Sequence, residues 1–338
     1  MTAPAPRTGS FGAGLLVALV SAATFGTSGT FGKALIGLGW SPSAIVTVRV
    51  GLGALLLLGP GLLALRGRWH LLRRNAGDVL AYGLVAVALC QLAYFNAVGR
   101  LSVGVALMLE YLGPILVVAW IWARTGRRPG RLTMAGMVIS VVGLVLVLDA
   151  FSGLRLDAIG VLWGLVAAVA LAGFFVIAGR DHEDNIPPIT LAAGGLLVGT
   201  VALAVLGLVG VLPWRTATGS VAVAGTTLPW WAAILELGVV AAAIAYVTGI
   251  DAARRLGSRV SSFVGLTEVL FAVLFAWWLL GEVPRPIQLL GGLAILAGVV
   301  AVRLDDRDDA HPELDAGDVP VPDVVRKTRE HPAAPVVG

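Results

Sequence analysis

Ten separate runs of about 19 or more apolar residues constrain this chain more than any other feature of its sequence. A helix of that length crosses the hydrocarbon core of a bilayer. Only 13% of the 338 residues are charged, against about 25% in typical soluble domains, so the composition agrees with a polytopic membrane protein. The predicted transmembrane helices are residues 11–32, 43–65, 77–98, 101–123, 132–150, 158–180, 188–212, 230–252, 260–281 and 286–303.

Lysine and arginine residues in the predicted connections indicate the orientation. Fifteen of them lie in connections on the side of the N-terminus and five on the other side. Because cytoplasmic loops are enriched in these residues, we predict a multi-pass protein of the inner (plasma) membrane with both termini cytoplasmic. The net charge of +4 is scattered with no basic tract, so nucleic-acid binding has no support.

The chain also contains an internal repeat with an offset of 155 residues. Sixteen of the 65 aligned pairs between residues 83–147 and 238–302 are identical, with tryptophan, proline, arginine and glycine among them. Each half then has five helices, and an odd number turns the second half upside down relative to the first. The loop charges swap sides accordingly. We therefore predict an all-α membrane protein with ten transmembrane helices in two inverted five-helix repeats, residues 1–153 and 154–304, followed by a disordered cytoplasmic tail, residues 305–338.

Two glutamates inside predicted helices are candidates for transport chemistry. Glu110 shares a helix face with Gly113 and Pro114, and Glu268 lies mid-helix on a face of small residues. A carboxyl at that depth is costly unless it is paired, protonated or facing water. The repeat aligns Glu268 with Gly113, so the two acids lie about one turn apart in the superposed halves. We expect them to approach one cavity and carry protons; the alternative is two separate, hydrogen-bonded neutral acids.

Six further residues complete the predicted site for substrate binding or coupling: Tyr111, Tyr94, Gln91, Tyr246, Arg49 and Trp163. Arg49 could counter a carboxylate, although snorkelling toward the outer surface is the commoner outcome for such a residue. The aromatic residues could equally anchor helices at the membrane interface. Glu236, near the outer end of the eighth helix, is interpreted as a solvated rim position.

Motifs for enzymatic or metal chemistry are missing from the predicted helices. All four histidines lie in predicted loops or in the tail, and Cys90, in an apolar segment, is interpreted as an inert buried thiol. Residues 26–34 superficially suggest a phosphate loop, but their glycine spacing is wrong and Ala34 replaces the required serine or threonine. The sequence therefore predicts no enzyme, no cofactor and no metal site.

Three segments resemble the EamA group of the drug/metabolite transporter superfamily. Residues 280–302, LGEVPRPIQLLGGLAILAGVVAV, are similar to the closing segment of EamA repeats, and residues 123–147 form a weaker copy. Residues 107–119, LMLEYLGPILVVA, resemble the fourth helix of the threonine/homoserine exporter branch. Val269 stands where such exporters usually have a proline, and Arg127 stands where the second repeat has Glu282. The resemblance implies secondary export or exchange of small organic solutes, often against protons.

We therefore expect an inner-membrane secondary transporter that exports a small metabolite such as an amino acid in exchange for protons. Its solute would bind between the halves near Glu110 and Glu268 and move by alternating access. Efflux of amphipathic cationic drugs is one alternative, and a non-transporting membrane scaffold or accessory subunit is another. The expected partners are the solute, protons and the lipid bilayer, with a homodimer left open and no nucleic acid.

Overall fold

The computed structural model describes residues 8–126, 129–147, 157–178 and 186–305, and this part of the chain is mostly helical. Arg127 and residues 306–338 of the predicted tail lie outside it. The elements follow in the order α1 (Thr8–Leu38), α2 (Pro42–Ala64), α3 (Trp69–Arg74), α4 (Ala76–Ala81), π1 (a π-helix, Tyr82–Leu89), α5 (Cys90–Val98), α6 (Val103–Glu110), α7 (Gly113–Thr125), α8 (Arg131–Val147), α9 (Ala158–Ala178), α10 (Pro188–Leu208), β1 (Ser220–Val223), β2 (Thr226–Pro229), α11 (Trp230–Leu235), π2 (a π-helix, Glu236–Ile244), α12 (Ala245–Gly265), α13 (Thr267–Leu280) and α14 (Pro286–Asp305).

Six helical stretches are long and apolar enough to cross a membrane, judged by length and composition. They are Gly12–Leu38, Pro42–Ala64, Ala76–Val98, Val103–Arg124, Ile189–Leu208 and Trp230–Gly249. Four shorter apolar helices accompany them: Arg131–Val147, Ala158–Gly173, Thr267–Leu280 and Pro286–Val302. Each of the ten apolar runs in the sequence overlaps one of these stretches. The protein is thus a multi-pass helical membrane protein, as its composition predicts.

Two predicted connections have more structure than expected. Residues 253–259, predicted as a loop, belong to α12, which packs against α1. Gly257 alone does not end this helix, because one glycine costs only about 1 kcal/mol relative to alanine and the packing of the helix offsets that. The connection before α11 contains an antiparallel hairpin of β1 and β2. Its turn residues Ala224 and Gly225 both have positive φ, at 53° and 72°, as a two-residue hairpin turn of type I′ requires.

Irregularities of the backbone recur at the 155-residue offset that relates the two halves of the sequence. Both halves contain a π-helix at this offset, π1 in the first and π2 in the second. The break between α6 and α7, at Tyr111 and Leu112, matches the break between α12 and α13 at Leu266. Gly126 and Gly281 end α7 and α13 in the same left-handed conformation, with φ of 68° and 71°. The repeat therefore extends from residue identity to local backbone geometry.

The repeat-equivalent helices α8 and α14 pack against each other through glycines. A Cβ atom added at Gly136 would lie 2.6 Å from the carbonyl oxygen of Gly298, and one at Gly143 would lie 2.7 Å from that of Gly291. Residue numbers rise along one helix as they fall along the other, so the helices are antiparallel. Small residues allow backbones to approach this closely in membranes. Two helices at equivalent positions in the repeat therefore run in opposite directions.

The remaining contacts between the halves are reciprocal as well. α1 packs against π2, α12 and α13 of the second half, and α9 packs against π1, α5, α6 and α7 of the first. The α2–α10 pair is again antiparallel, with Gly51 beside Thr200 and Gly61 beside Ala193. Since each half packs mainly on the other, the core of the protein lies at the interface between them.

Candidate functional site

Glu110 lies at a break in the fourth apolar stretch. Ser102 caps the start of α6, which ends at Glu110, and α7 begins at Gly113 with Pro114 in its first turn. A proline there costs no hydrogen bond, because the first amides of a helix have no intrahelical acceptor. Half-helices that meet at mid-membrane are typical of solute and ion sites in transporters. At the predicted kink the chain therefore departs from regular α-helix for two residues, Tyr111 and Leu112, while the N–H of Tyr111 still donates to the carbonyl oxygen of Leu107 at 3.0 Å.

The Glu110 side chain is buried and only 8% exposed. Its Oε1 accepts a hydrogen bond from Cys90 Sγ at 3.2 Å, and the same thiol lies 3.7 Å from the carbonyl oxygen of Ala167 on α9. The burial of Cys90 agrees with the sequence interpretation. Its contact with Glu110 was not foreseen, because the two residues lie on different helices and share no motif.

Glu268 lies in the first turn of α13, immediately after the matching break at Leu266. The amide end of a helix favours a negative charge, so this position suits a carboxyl group. The hydroxyl of Tyr111 donates to Glu268 Oε2 at 3.1 Å and also lies 3.4 Å from the carbonyl oxygen of Gly265. Tyr111 belongs to the break of the first half, so this hydrogen bond joins the two interruptions. Glu110 and Glu268 are also close enough to interact electrostatically.

Arg49 on α2 does not snorkel, contrary to the commoner outcome expected from the sequence. It is 3% exposed, donates to Gln91 Oε1, and donates from Nη2 to the carbonyl oxygen of Ala241 at 3.0 Å. Its guanidinium carbon lies 5.5 Å from the ring centre of Phe95, a cation–π distance. Gln91 lies in the first turn of α5, just after π1, and Ala241 lies within π2, so Arg49 connects α5 to π2. Helical segments of the π type are frequent at functional sites.

Arg49 also lies within electrostatic range of three glutamates: Glu110, Glu236 and Glu268. Arg49 forms no ion pair within 4 Å with these three described residues, so countering a carboxylate, the second role that the sequence left open for it, stays a prediction. The burial of Arg49 could not be predicted, because position along a helix does not reveal which neighbour the side chain faces.

The remaining predicted residues fall into two groups. Tyr94 is buried against α1, where a Cβ atom on Gly29 would come within 2.3 Å of its hydroxyl. Tyr246 packs edge to face on Phe25, with ring centres 5.1 Å apart, and forms a side-chain hydrogen bond with Tyr82. Trp163 on α9 is half-buried against the hydrophobic core, and the described contacts give it no polar link to the acids.

Glu236 is not a solvated rim residue, and that interpretation is wrong. It begins π2, its Oε1 accepts a hydrogen bond from the hydroxyl of Thr27 on α1, and its Oε2 is buried. α1 covers it, because this helix packs along π2. Thr24, Thr27 and Thr30 follow one another at helical spacing along α1, a polar stripe in the sequence that could have indicated a buried polar partner.

An ion pair closes one end of the interface between the halves. Lys33 at the end of α1 pairs with Glu282, between α13 and α14, and donates to the carbonyl oxygen of Leu101 at 2.7 Å. Glu282 Oε2 in turn accepts from the backbone N–H of Val103 at 2.9 Å. A cavity of about 270 Å³ lies beside this cluster, lined by residues 100–102, 104, 273, 276, 282–285 and 288. By the predicted orientation, this is the external end.

The described part of the chain was also searched for side chains grouped closely enough to bind a metal ion. Within it, no group of three or more histidine, cysteine, aspartate or glutamate residues could hold a metal ion. Several polar side chains of the interior, among them Glu110, Glu268 and Arg49, form hydrogen bonds with groups on other helices. They are suited to hold and move protons or to bind a polar solute.

The model of the EamA-like transporter family matches residues 12–149 and 158–304, which together cover most of the chain. The chain is 24% identical to an uncharacterized inner membrane transporter, YicL, of Salmonella typhimurium, over 88% of this chain and 98% of that protein. It is 25% identical to the threonine/homoserine exporter RhtA of Escherichia coli, over 88% of this chain and 93% of the exporter. A solved crystal structure with 19% sequence identity has the same fold, with a TM-score of 0.58 over 89% of this chain and 99% of the other.

Proposed function

Because this chain belongs to the EamA-like transporter family, we propose that it exports a small organic solute, such as an amino acid, in exchange for protons. One similar protein is named a threonine/homoserine exporter, and the alignment covers nearly all of both chains. The interior of this chain contains the groups that such an activity needs: carboxyls for protons and further polar groups for a solute.

The architecture that we propose has ten transmembrane helices in two inverted repeats, residues 1–153 and 154–304. The antiparallel packing of α8 on α14 supports it, because equivalent helices run in opposite directions when a repeat is inverted. Reporter fusions test the orientation. Fusions after Arg74, Arg131 and Arg307 should be cytoplasmic, and fusions after Lys33 and near Thr218 external. A cytoplasmic reporter near Thr218 would contradict the inverted arrangement.

Glu110 and Glu268 are the proposed proton carriers. The observation that supports this most directly is the hydrogen bond from Tyr111 to Glu268, which connects the two helix breaks across the interface between the halves. A change in protonation at either acid would alter contacts made by both halves. Such a change can favour rocking of one half against the other, which is the basis of alternating access.

Uptake into inverted vesicles tests the proposal. Inverted membrane vesicles are prepared from cells that produce the chain, and labelled amino acids are added with and without an imposed pH gradient that is acidic inside the vesicle. Because the vesicle interior corresponds to the external side of the cell, export appears as uptake. The proposal requires uptake above that of vesicles from cells without the chain and further accumulation when the gradient is present. A chain that moves no tested solute under either condition would favour the scaffold alternative.

A further inference from the structure

Four buried side-chain atoms have no hydrogen-bond partner within the described part of the chain: Ser28 Oγ, Thr30 Oγ1, Arg49 Nε and Glu236 Oε2. They belong to α1, α2 and π2, and these three elements pack against one another. Buried polar groups in native proteins are nearly always paired, and each exception calls for an explanation. In a membrane interior the cost of leaving them unpaired is higher still. Two of the four, on Arg49 and Glu236, belong to groups that can bear opposite charges.

Arg49 keeps part of its donor set unused. Its two terminal nitrogens donate to Gln91 and to the carbonyl oxygen of Ala241, while Nε–H has no acceptor. Each terminal nitrogen carries two protons, so Nε–H and an adjacent N–H form a fork on one edge of the guanidinium. A fork of this kind matches the two oxygens of a carboxylate.

Glu236 keeps an acceptor unused in the same region. Thr27 occupies its Oε1, and its Oε2 is buried without a donor. Arg49 and Glu236 attract each other electrostatically, yet these two described residues form no ion pair within 4 Å. Opposite charges that are buried close together normally pair directly, because each then offsets the desolvation of the other. Here a cation and a carboxylate lie on two elements that pack against each other, α2 and π2, and each keeps one buried atom without a partner.

We infer that Arg49 and Glu236 together bind the headgroup of an amphoteric solute, with its carboxylate on Arg49 and its ammonium group on Glu236. An α-amino acid has these two groups on one carbon, so it can bridge the two side chains and satisfy both open atoms. The inference rests on the proposed export function and names the solute class. It also assigns separate roles to the buried charged residues: Arg49 and Glu236 bind the solute, and Glu110 and Glu268 remain the proton carriers.

This arrangement sets a requirement for both charges of the solute. A decarboxylated amine leaves the Arg49 fork unpaired, an ester offers it only a neutral carbonyl, and an N-acetyl derivative offers Glu236 only a neutral amide N–H in place of the ammonium group. A buried partner left unsatisfied weakens binding by about tenfold or more. A site for simple cationic drugs needs the ammonium group alone. It would therefore bind the ester and the decarboxylated amine as well as the parent, and only the N-acetyl derivative weakly.

The test is competition in vesicles that contain the full-length chain. Uptake of the best labelled neutral amino acid from the uptake experiment is measured against its methyl ester, its N-acetyl derivative and its decarboxylated amine. For the unaltered chain, all three should compete at least about tenfold more weakly than the unlabelled parent. Arg49→Gln should abolish the preference for the parent over the methyl ester, and Glu236→Gln should abolish the preference over the N-acetyl derivative. Asp251→Asn and Arg255→Gln, at an exposed ion pair on α12, are matched controls that should keep both preferences.

Several results would overturn the inference. One is a methyl ester or N-acetyl derivative that competes as well as the parent against the unaltered chain. Another is an Arg49→Gln variant that weakens parent and methyl ester by the same factor while uptake persists, which would leave the export function standing. If no labelled solute is taken up, the export function itself fails. Thermal stabilisation of the purified chain by amino acids, compared with their esters, then decides whether the headgroup site exists.

A single substitution could prevent folding, because it leaves one buried charge without its counter-charge. The double variant Arg49→Gln/Glu236→Gln removes both charges together and avoids that penalty. It should fold, elute as a single species and bind parent and derivatives without discrimination. A folded double variant that still prefers the zwitterionic parent would show that the headgroup is bound elsewhere.

Discussion

The hydroxyl of Tyr111 donates to Glu268 at 3.1 Å, so a residue at the helix break of one half holds the acid at the break of the other. Tyr111 follows Glu110 directly in the chain. When α13 moves relative to the α6–α7 break, either this hydrogen bond breaks or the Tyr111 side chain moves together with Glu268. The two acids proposed to carry protons are thus coupled through one side chain.

Tyr111→Phe tests this coupling, since it removes the hydroxyl and keeps the ring. We expect thermal stability to fall by the value of one hydrogen bond to a carboxyl group, about 1–3 kcal/mol, and the rate of transport to change with it. Thermal unfolding of the purified chain and uptake into vesicles measure the two effects. Unchanged stability and transport rate would show that this hydrogen bond does not couple Glu110 to Glu268.

Glu110→Gln separates proton coupling from solute movement. The amide keeps the shape of the side chain and can still bond to Cys90, but it has no titratable group. Accumulation driven by a pH gradient should fall to background, whereas exchange of labelled for unlabelled solute across the vesicle membrane should persist, because exchange needs binding and rocking without net proton movement. Accumulation with unchanged pH dependence would contradict the coupling role of Glu110 and make Glu268 the next candidate.

Gly298→Ala should destabilise the interface between the halves. The added Cβ atom would lie 2.0 Å from Ser140 Oγ and 2.4 Å from the carbonyl oxygen of Gly136, so α8 and α14 must separate. Overpacking of this kind costs about 1–3 kcal/mol, which thermal unfolding in detergent would measure. Gly12→Ala on α1 is the matched control, because nothing lies within 4 Å of the added atom and no proline follows it. The control should be neutral or slightly stabilising, and equal loss in both variants would argue against tight packing at α8 and α14.

The ion pair between Lys33 and Glu282 should contribute modestly, because 29% and 21% of the two side chains remain exposed. A double-mutant cycle with Lys33→Met and Glu282→Gln should give a coupling energy of about 0.2–1 kcal/mol in thermal stability. The coupling should shrink as salt is added. Strictly additive effects of the two substitutions would show that the pair does not hold this end of the interface closed.

Asp157 should give a small pH dependence of stability at the start of α9. Hydrogen bonds from the backbone N–H of Gly160, at 2.8 Å, and from Arg100 lower the pKa of this exposed carboxyl below its ordinary value. Its contribution is therefore present at neutral pH and is lost as the pH falls through the lowered pKa. Asp157→Asn keeps an oxygen to cap the helix but removes the titration. Thermal unfolding between pH 7 and pH 3 should show a smaller acid loss in this variant, and identical curves would exclude the effect.

The sequence predicts the local structure correctly where a single residue type, such as proline, has a known effect on the backbone. Pro114 after Glu110 predicts a helix interruption, and the fourth stretch is interrupted there. The matching break at Leu266 lies in a segment without proline, and the π-helices have no residue that marks them, so neither could be predicted. Arg49 and Glu236 both lie near the ends of predicted helices, where snorkelling is the commoner outcome for Arg49 and Glu236 was interpreted as a solvated rim position. Their burial depends on α1 and π2 lying against them, which a single sequence does not reveal.

The lengths of α7 and α13 have an electrical consequence. With 13 and 14 residues, each is about 20 Å long, so in the inverted arrangement each break lies about 20 Å from one face and about 10 Å from the other face of a hydrocarbon core about 30 Å thick. A proton that reaches Glu110 or Glu268 has then crossed about one third or two thirds of the membrane potential, depending on the side it enters from, or about 0.8 or 1.5 kcal/mol at 100 mV. Voltage therefore divides between the loading and the unloading of the proton and does not fall on one step alone.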